Sequence, residues 1–305
     1  MRRRGAFAIK EELSRGEWGN LYEVYSQQEP DRPLLLKELH TPPTAEWRKS
    51  VSSIPLNSRL RTPLEVTQDD DGAYLVLPYL PGPNLETSRL ERYDGRVPVR
   101  KALAWLRDTL QGLLILHDLK LIHGDVKPSN LVLDSDGQAV LVDLGALQRS
   151  DSGEPVLATP EYLVPKKSLQ STPQRDLYAA ALTFGALVTG EILPPEKARL
   201  SQSDPLIPES CDEILLRGLG VEEPYRSTRQ MLATVERLLG EQTGPRTTSP
   251  PTRLVNVPES RKTWLLWPFV AALLCYPIGM AAAHFLKEAP PGARITVFER
   301  TGTDI

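Results

Sequence analysis

Apolar residues in this chain recur at two different spacings, strand-like in most of its first part and mainly helical after it. Up to Leu80 they fall in short runs of strand-like pattern: Ala6–Leu13, Asn20–Ser26, Leu34–Leu39, Leu64–Thr67 and Tyr74–Pro78. Turns rich in Gly, Pro and Asp part these runs, DDDG at 69–72 among them, which predicts a small β-rich lobe. Within it, 44–53 predicts one short helix with Thr44 as N-cap, stopped by Pro55. From Val99 the helical spacing takes over, and KALAWLRDTLQGLLILHDL places Leu103, Leu106, Leu110, Leu113 and Leu114 on one face. Leu131–Leu133 and Ala139–Val142 bracket DSDG as a short hairpin, and helices return over Asp176–Thr189, Cys211–Leu219 and Thr228–Leu239, the last capped by Gly240. The pattern predicts an α+β chain of two lobes, β-rich over 1–84 and mainly α over 85–240, with no internal repeat.

Beyond this body the composition shifts. Residues 241–262 are dominated by Pro, Thr, Ser and Arg, the make-up of a flexible tether. Thr263 to Ala283 then carries no charge, over about the 20 residues that a bilayer-spanning helix needs. The reading is one transmembrane helix over 263–285 followed by a short tail, 286–305; a buried core helix is the alternative, with no later segment to cover it. Trp264, Trp267 and Tyr276 suit an interface, and a membrane tolerates the bends expected at Pro268 and Pro277. Arg261 and Lys262 at one end nearly balance His284 and Lys287 at the other, so flanking charge does not orient the span. MRRRGAFAIK has the charges of a signal peptide without its apolar run.

Bulk properties narrow the function classes. A net charge of −3, spread along the chain, gives no broad basic field for nucleic acid. Cys211 and Cys275 are the only cysteines and stand in no zinc-like spacing, which fits a reducing compartment.

Chemistry concentrates at LIHGDVKPSN, residues 121–130. Alone it reads as a solvated turn, since Gly, Asp, Pro, Ser and Asn all form turns. With SRGEWG at 14–19, Lys37 in LLLKEL, VLVDLG at 140–145, LATPEYLVPK at 157–166 and Asp176 in QRDLYAAALTFG, it resembles the eukaryotic-type serine/threonine protein kinase family over about residues 7 to 240. The resemblance implies a two-lobed protein kinase fold that uses ATP and Mg2+ to phosphorylate protein Ser or Thr hydroxyls. It implies Asp125 as the catalytic proton acceptor, Lys127 on the transferred group, and Asn130 and Asp143 as magnesium ligands. Gly16, Gly19 and Lys37 would meet the phosphates, Leu13, Leu21, Leu35, Leu77, Leu80 and Val132 the adenine, and Asn84 the ribose. His123 is expected to pack the loop, and Leu144 takes the Phe position of the family's D-F-G.

Five positions depart from the family's pattern, the first being Ser14, which takes the place of the glycine-rich loop's first glycine. Gly124 replaces the loop arginine that pairs with an activation-loop phosphate, so Ser150, Ser152 and Thr159 are candidate phosphosites of little consequence for activity. Lys166 stands where a glutamate would meet Arg226; Leu35 is larger than the usual alanine; and Glu46 is the one carboxylate on the short helix that could partner Lys37. Such departures keep a second reading open, a membrane-tethered pseudokinase serving as a nucleotide-binding or inert scaffold. On either reading the partners expected are protein substrates, the membrane through one helix, and a second copy or a membrane protein. The need for ATP places the kinase lobes in the cytoplasm at the cell membrane.

Overall fold

The structure, a computed structural model, describes residues 3–16, 19–69, 72–150, 159–164 and 172–241. All of these fall in the first of the chain's two units, Met1–Arg246. The tether beyond Glu241, the uncharged run and the tail lie outside the described residues, as do Ser152 and Lys166.

Six strands build the first lobe: β1 (Arg3–Arg4), β2 (Phe7–Gly16), β3 (Gly19–Ser26), β4 (Pro33–Leu39), β5 (Glu65–Asp69) and β6 (Gly72–Pro78). They form one sheet in the order β1-β2-β3-β4-β6-β5, antiparallel at every pairing. Alternation of side chains across the pleat sorts this sheet into two faces. Tyr22, Val24, Leu34, Leu36, Tyr74 and Val76 pack together, while Leu35, Leu75 and Leu77 form a second cluster joined by Leu21, Leu39 and Trp47. Lys37 follows Leu35 by two residues, so the same alternation sets it on the face of the second cluster. β2 and β3 close Gly16 opposite Gly19. Gly19 adopts φ +155, and a Cβ there would lie 2.1 Å from the Glu38 carbonyl oxygen, so only glycine fits against β4.

Helix α1 (Ala45–Ser52) begins where the sequence predicts, with the Thr44 hydroxyl accepting from Trp47 N at 3.1 Å. Helix α2 (Leu85–Tyr93), which the sequence reading did not separate, opens the second lobe. α3 (Val99–Asp118) buries Leu103, Leu106, Leu110 and Leu113 as expected, but Leu116 rather than Leu114 completes its buried side. Each such leucine contributes about 1.5–3 kcal/mol of burial. β7 (Leu121–Ile122) follows and pairs with β10 (Gln148–Arg149); between them β8 (Leu131–Leu133) and β9 (Ala139–Leu141) make the predicted hairpin. α4 (Pro173–Thr189) is buried from Arg175 onward, which makes it the central helix of this lobe, and α3 packs on it. α5 (Leu200–Ser203), α6 (Asp212–Gly218) and α7 (Thr228–Glu241) complete the described chain. Gly240 does not cap α7: it lies within the helix, which continues to Glu241.

Candidate active site

Buried anchors hold the polar loop after β7. His123 is fully buried; its Nδ1 accepts from Asp125 N at 3.3 Å and its Nε2 reaches the Val142 carbonyl at 3.0 Å. One ring nitrogen accepting and the other donating is the neutral imidazole, and burial lowers its pKa against the pull of Asp176. Asp176 of α4 takes two backbone amides of the loop, His123 N at 2.8 Å and Gly124 N at 2.9 Å, and also the His117 ring at 2.8 Å. Burial alone would raise the Asp176 pKa; the bond from His117 and these neighbours outweigh it and hold the carboxylate below its ordinary value.

Gly124 is in the left-handed region, φ +85, where a Cβ would lie 2.7 Å from the Ala146 carbonyl oxygen and 3.2 Å from Arg175 Nη2. Arg175, one residue before Asp176, is 1% exposed and donates to the Gly124 carbonyl. A guanidinium therefore does stand beside this loop, but it arrives from α4, and no motif at 121–130 reveals it.

The loop's reactive groups converge on Asp125. Asn130 Nδ2 donates to its backbone oxygen and to Oδ2, both at 2.8 Å, and Lys127 Nζ lies 2.8 Å from the same Oδ2. Thr159 covers the other oxygen: its amide donates to Oδ1 at 3.1 Å and its hydroxyl at 2.7 Å, while Lys127 donates to that hydroxyl at 2.6 Å. Burial would raise the Asp125 pKa, but the bonds from Lys127 and Thr159 leave it lowered, so the carboxylate is ionised at neutral pH. Thr159, named in the sequence as a candidate phosphosite, thus stands among the groups of this site.

The corner around Lys37 differs from expectation. Glu46 does not partner Lys37; it is 70% exposed, 4.0 Å from Arg149. The neighbouring Trp47 turns inward instead and donates from Nε1 to the Leu144 carbonyl at 3.0 Å, because a half-buried indole N–H needs an acceptor. Lys37 Nζ bonds Asp143 Oδ1 at 2.5 Å. Asp143 sits at φ +67, its Oδ1 also accepting from Gly145 N at 3.2 Å. Burial would raise its pKa; Lys37 more than offsets that, and the pKa is lowered.

These groups surround one cavity of about 660 Å³, lined by Gly16, Gly19, Leu21, Lys37, Asn84, Asp125, Lys127, Asn130, Val132 and Asp143 among the residues singled out in the sequence. Its size is that of a small-molecule site. Leu13, Leu35, Leu77 and Leu80 are not among its lining. Leu13 is 44% exposed on β2, Leu80 is half-buried after β6, and Leu35 and Leu77 pack against each other beneath the surface, so the larger Leu35 is absorbed into the lobe's core. Asn84 lines the cavity, yet its Oδ1 caps α2 by accepting from Thr87 N at 2.8 Å. Ser14, which stands in the first glycine's place of SRGEWG, lines the cavity too, while sequence reading missed Arg61, Ser129, Val142 and Pro160. Arg226 is 81% exposed and pairs with Glu223. For a hard divalent cation the donor set is an amide oxygen and a carboxylate, Asn130 and Asp143. Two such protein oxygens suit an ion completed by phosphate and water, and no group of three or more His, Cys, Asp or Glu is placed to hold a metal ion among the described residues.

Residues 7–256 match the protein kinase domain family. The serine/threonine-protein kinase PknG of Mycobacterium leprae is 27% identical over 264 residues, which cover 79% of this chain and 34% of that protein. The protein of the same name from Mycolicibacterium smegmatis is 25% identical, with 78% and 34% covered. The chain therefore spans about a third of the length of these relatives. Among solved structures, the kinase domain of Mycobacterium tuberculosis PknI superposes with a TM-score of 0.62 at 22% identity, covering 76% of this chain and 96% of that one.

Proposed function

The chain belongs to the eukaryotic-type serine/threonine protein kinase family, and we propose that it transfers the γ-phosphoryl group of ATP to Ser or Thr hydroxyls of protein substrates. One observation carries this reading: Asp125 holds a threonine hydroxyl at 2.7 Å while Lys127 touches the same hydroxyl oxygen, on the wall of a nucleotide-sized cavity. A substrate hydroxyl in that relation would give its proton to Asp125 as its oxygen attacks phosphorus, and Lys127 would offset the charge on the transferred group. Asn130 fixes the Asp125 carboxylate by two bonds, and Asp176 fixes the loop backbone that carries it. Lys37 would move from Asp143 to the α and β phosphates of bound nucleotide. Magnesium, held by Asn130 and Asp143, would neutralise phosphate charge. We further propose that a span over 263–285, read from the uncharged run there, anchors the chain at the cell membrane, with the kinase lobes on the cytoplasmic side where ATP is available. Deleting 263–285 should release it from sedimented membranes.

A second reading, a nucleotide-binding scaffold without transfer, is favoured by one feature: α1 offers Lys37 no carboxylate. The two separate in a transfer assay on the full chain in detergent with Mg-ATP and a basic protein acceptor. Label on Ser and Thr that disappears in Asp125→Asn supports the kinase; no label, or equal label in both proteins, leaves the scaffold.

A further inference from the structure

An arginine that no sequence motif marks lines the cavity of the candidate site. Arg61 lies in the segment joining α1 to β5, where its amide donates to the Leu141 carbonyl at 2.8 Å and Leu141 N donates to the Arg59 carbonyl at 2.9 Å. This pins Arg61 beside the strand that leads to Asp143. Its Nε is buried without a hydrogen-bond partner. Burial brings its pKa down to about 10 while Asp143 pulls the other way, so the side chain is still charged at neutral pH.

The charges around it show what it lacks. Among the described residues lining the cavity, the cations are Lys37, Arg61 and Lys127 and the anions are Asp125 and Asp143. Each carboxylate already has its lysine, Asp143 with Lys37 and Asp125 with Lys127. Arg61 is the cation left over. α1 adds no acid to balance it, because Glu46 points to Arg149. A half-buried guanidinium whose Nε has no partner is complementary to a phosphate, whose oxygens match its planar fork.

We propose that Arg61 is a phosphate-binding residue of the nucleotide site, a fixed cation that lets the chain hold a nucleoside triphosphate with reduced dependence on divalent metal. This rests on the nucleotide-binding part of the function proposed above. Phosphate oxygens would take the donors that now have no partner, and the surplus positive charge would be neutralised by the ligand.

The test is equilibrium binding of ATP and of adenosine to the full chain in detergent, in magnesium and in EDTA, for wild type, Arg61→Gln and Arg61→Lys. Wild type should bind ATP in EDTA within about tenfold of its affinity in magnesium. Arg61→Gln should weaken ATP in EDTA by about tenfold or more, the effect of one lost charge-assisted contact. Adenosine should be held within about twofold, since it makes no phosphate contact, which also shows that the variant is folded. Arg61→Lys should recover part of the loss. An unchanged ratio of ATP to adenosine affinity in Arg61→Gln overturns the proposal while leaving phosphoryl transfer untouched. Arg61-dependent ATP binding in a protein that transfers no phosphate upholds the proposal and refutes the kinase. Absence of any nucleotide binding by wild type overturns both.

Discussion

Around Asp125, the residue preceding the aspartate is glycine, and a guanidinium reaches its carbonyl from Arg175 on α4. Around Lys37, α1 turns Trp47 inward where a carboxylate would serve, and the extra guanidinium of Arg61 lines the cavity. In the first region a cation absent from one position stands at another, so the charge near Asp125 is kept. In the second an anion is absent and a cation is gained, so the charge facing a nucleotide moves toward positive. Departures from a family motif are thus of two kinds, relocation and inversion. Only a structure separates them, because relocation joins residues 51 positions apart in sequence.

The largest effect should come from the inverted corner. Asp143→Asn removes the charge that holds Lys37 and the carboxylate expected on magnesium, and should lower the transfer rate by about a thousandfold. Asn tolerates the left-handed backbone at 143, so the thermal midpoint should move little; a large fall in that midpoint would recast Asp143 as a folding residue. Next comes Gly124→Arg, which forces a Cβ against the Ala146 carbonyl and Arg175 at a positive φ. It should cost about 2–4 kcal/mol in urea unfolding. A cost within experimental error would mean that the loop is not clamped.

A smaller effect follows from Thr159. The Asp125 pKa is lowered in the folded state, so its ionisation contributes stability that is present above its unfolded value, about 3.9, and lost as pH falls through the lower folded value. Transfer needs the ionised carboxylate, so its acid limb should lie below the ordinary carboxylate range. Thr159→Ala removes two hydrogen bonds at once, the hydroxyl donor to Asp125 and the acceptor for Lys127. It should slow transfer by about tenfold and shift the acid limb to higher pH, with Thr159→Ser restoring both. An unmoved limb would break the link between Thr159 and Asp125. The least effect is expected at Ser150, whose amide bonds the Lys120 carbonyl. With glycine at 124, Ser150→Ala should change activity by less than about twofold.

What could be read from the sequence had local causes. Thr44 starts α1 by a bond to an amide three residues on, and DSDG makes its hairpin because the turn residues sit between two apolar runs. Asp125, Lys127, Asn130 and Asp143 could be named because the motifs that carry them resemble those of the protein kinase family, with a strand pair between the two. α2 stayed hidden because Asn84, its N-cap, also falls at the position of a ligand contact. Trp47, Arg61 and Arg175 stayed hidden because their partners are set by the fold: Trp47 meets Leu144 across 97 positions. A partial signal existed for Trp47, whose indole N–H on a short helix had to find an acceptor. For Arg61 and Arg175 nothing in the local pattern distinguishes a buried guanidinium from an exposed one.

The relocation of charge from 124 to 175 is tested most directly by a double-mutant cycle on Gly124→Arg and Arg175→Ser, read in unfolding free energy and in transfer rate. Relocation predicts that each single change harms the protein and that the double variant is less damaged than the two losses combined, by about 1–3 kcal/mol of coupling, with transfer partly regained. Losses that add to within about 0.5 kcal/mol, with transfer no better in the double variant than in Arg175→Ser, would contradict it.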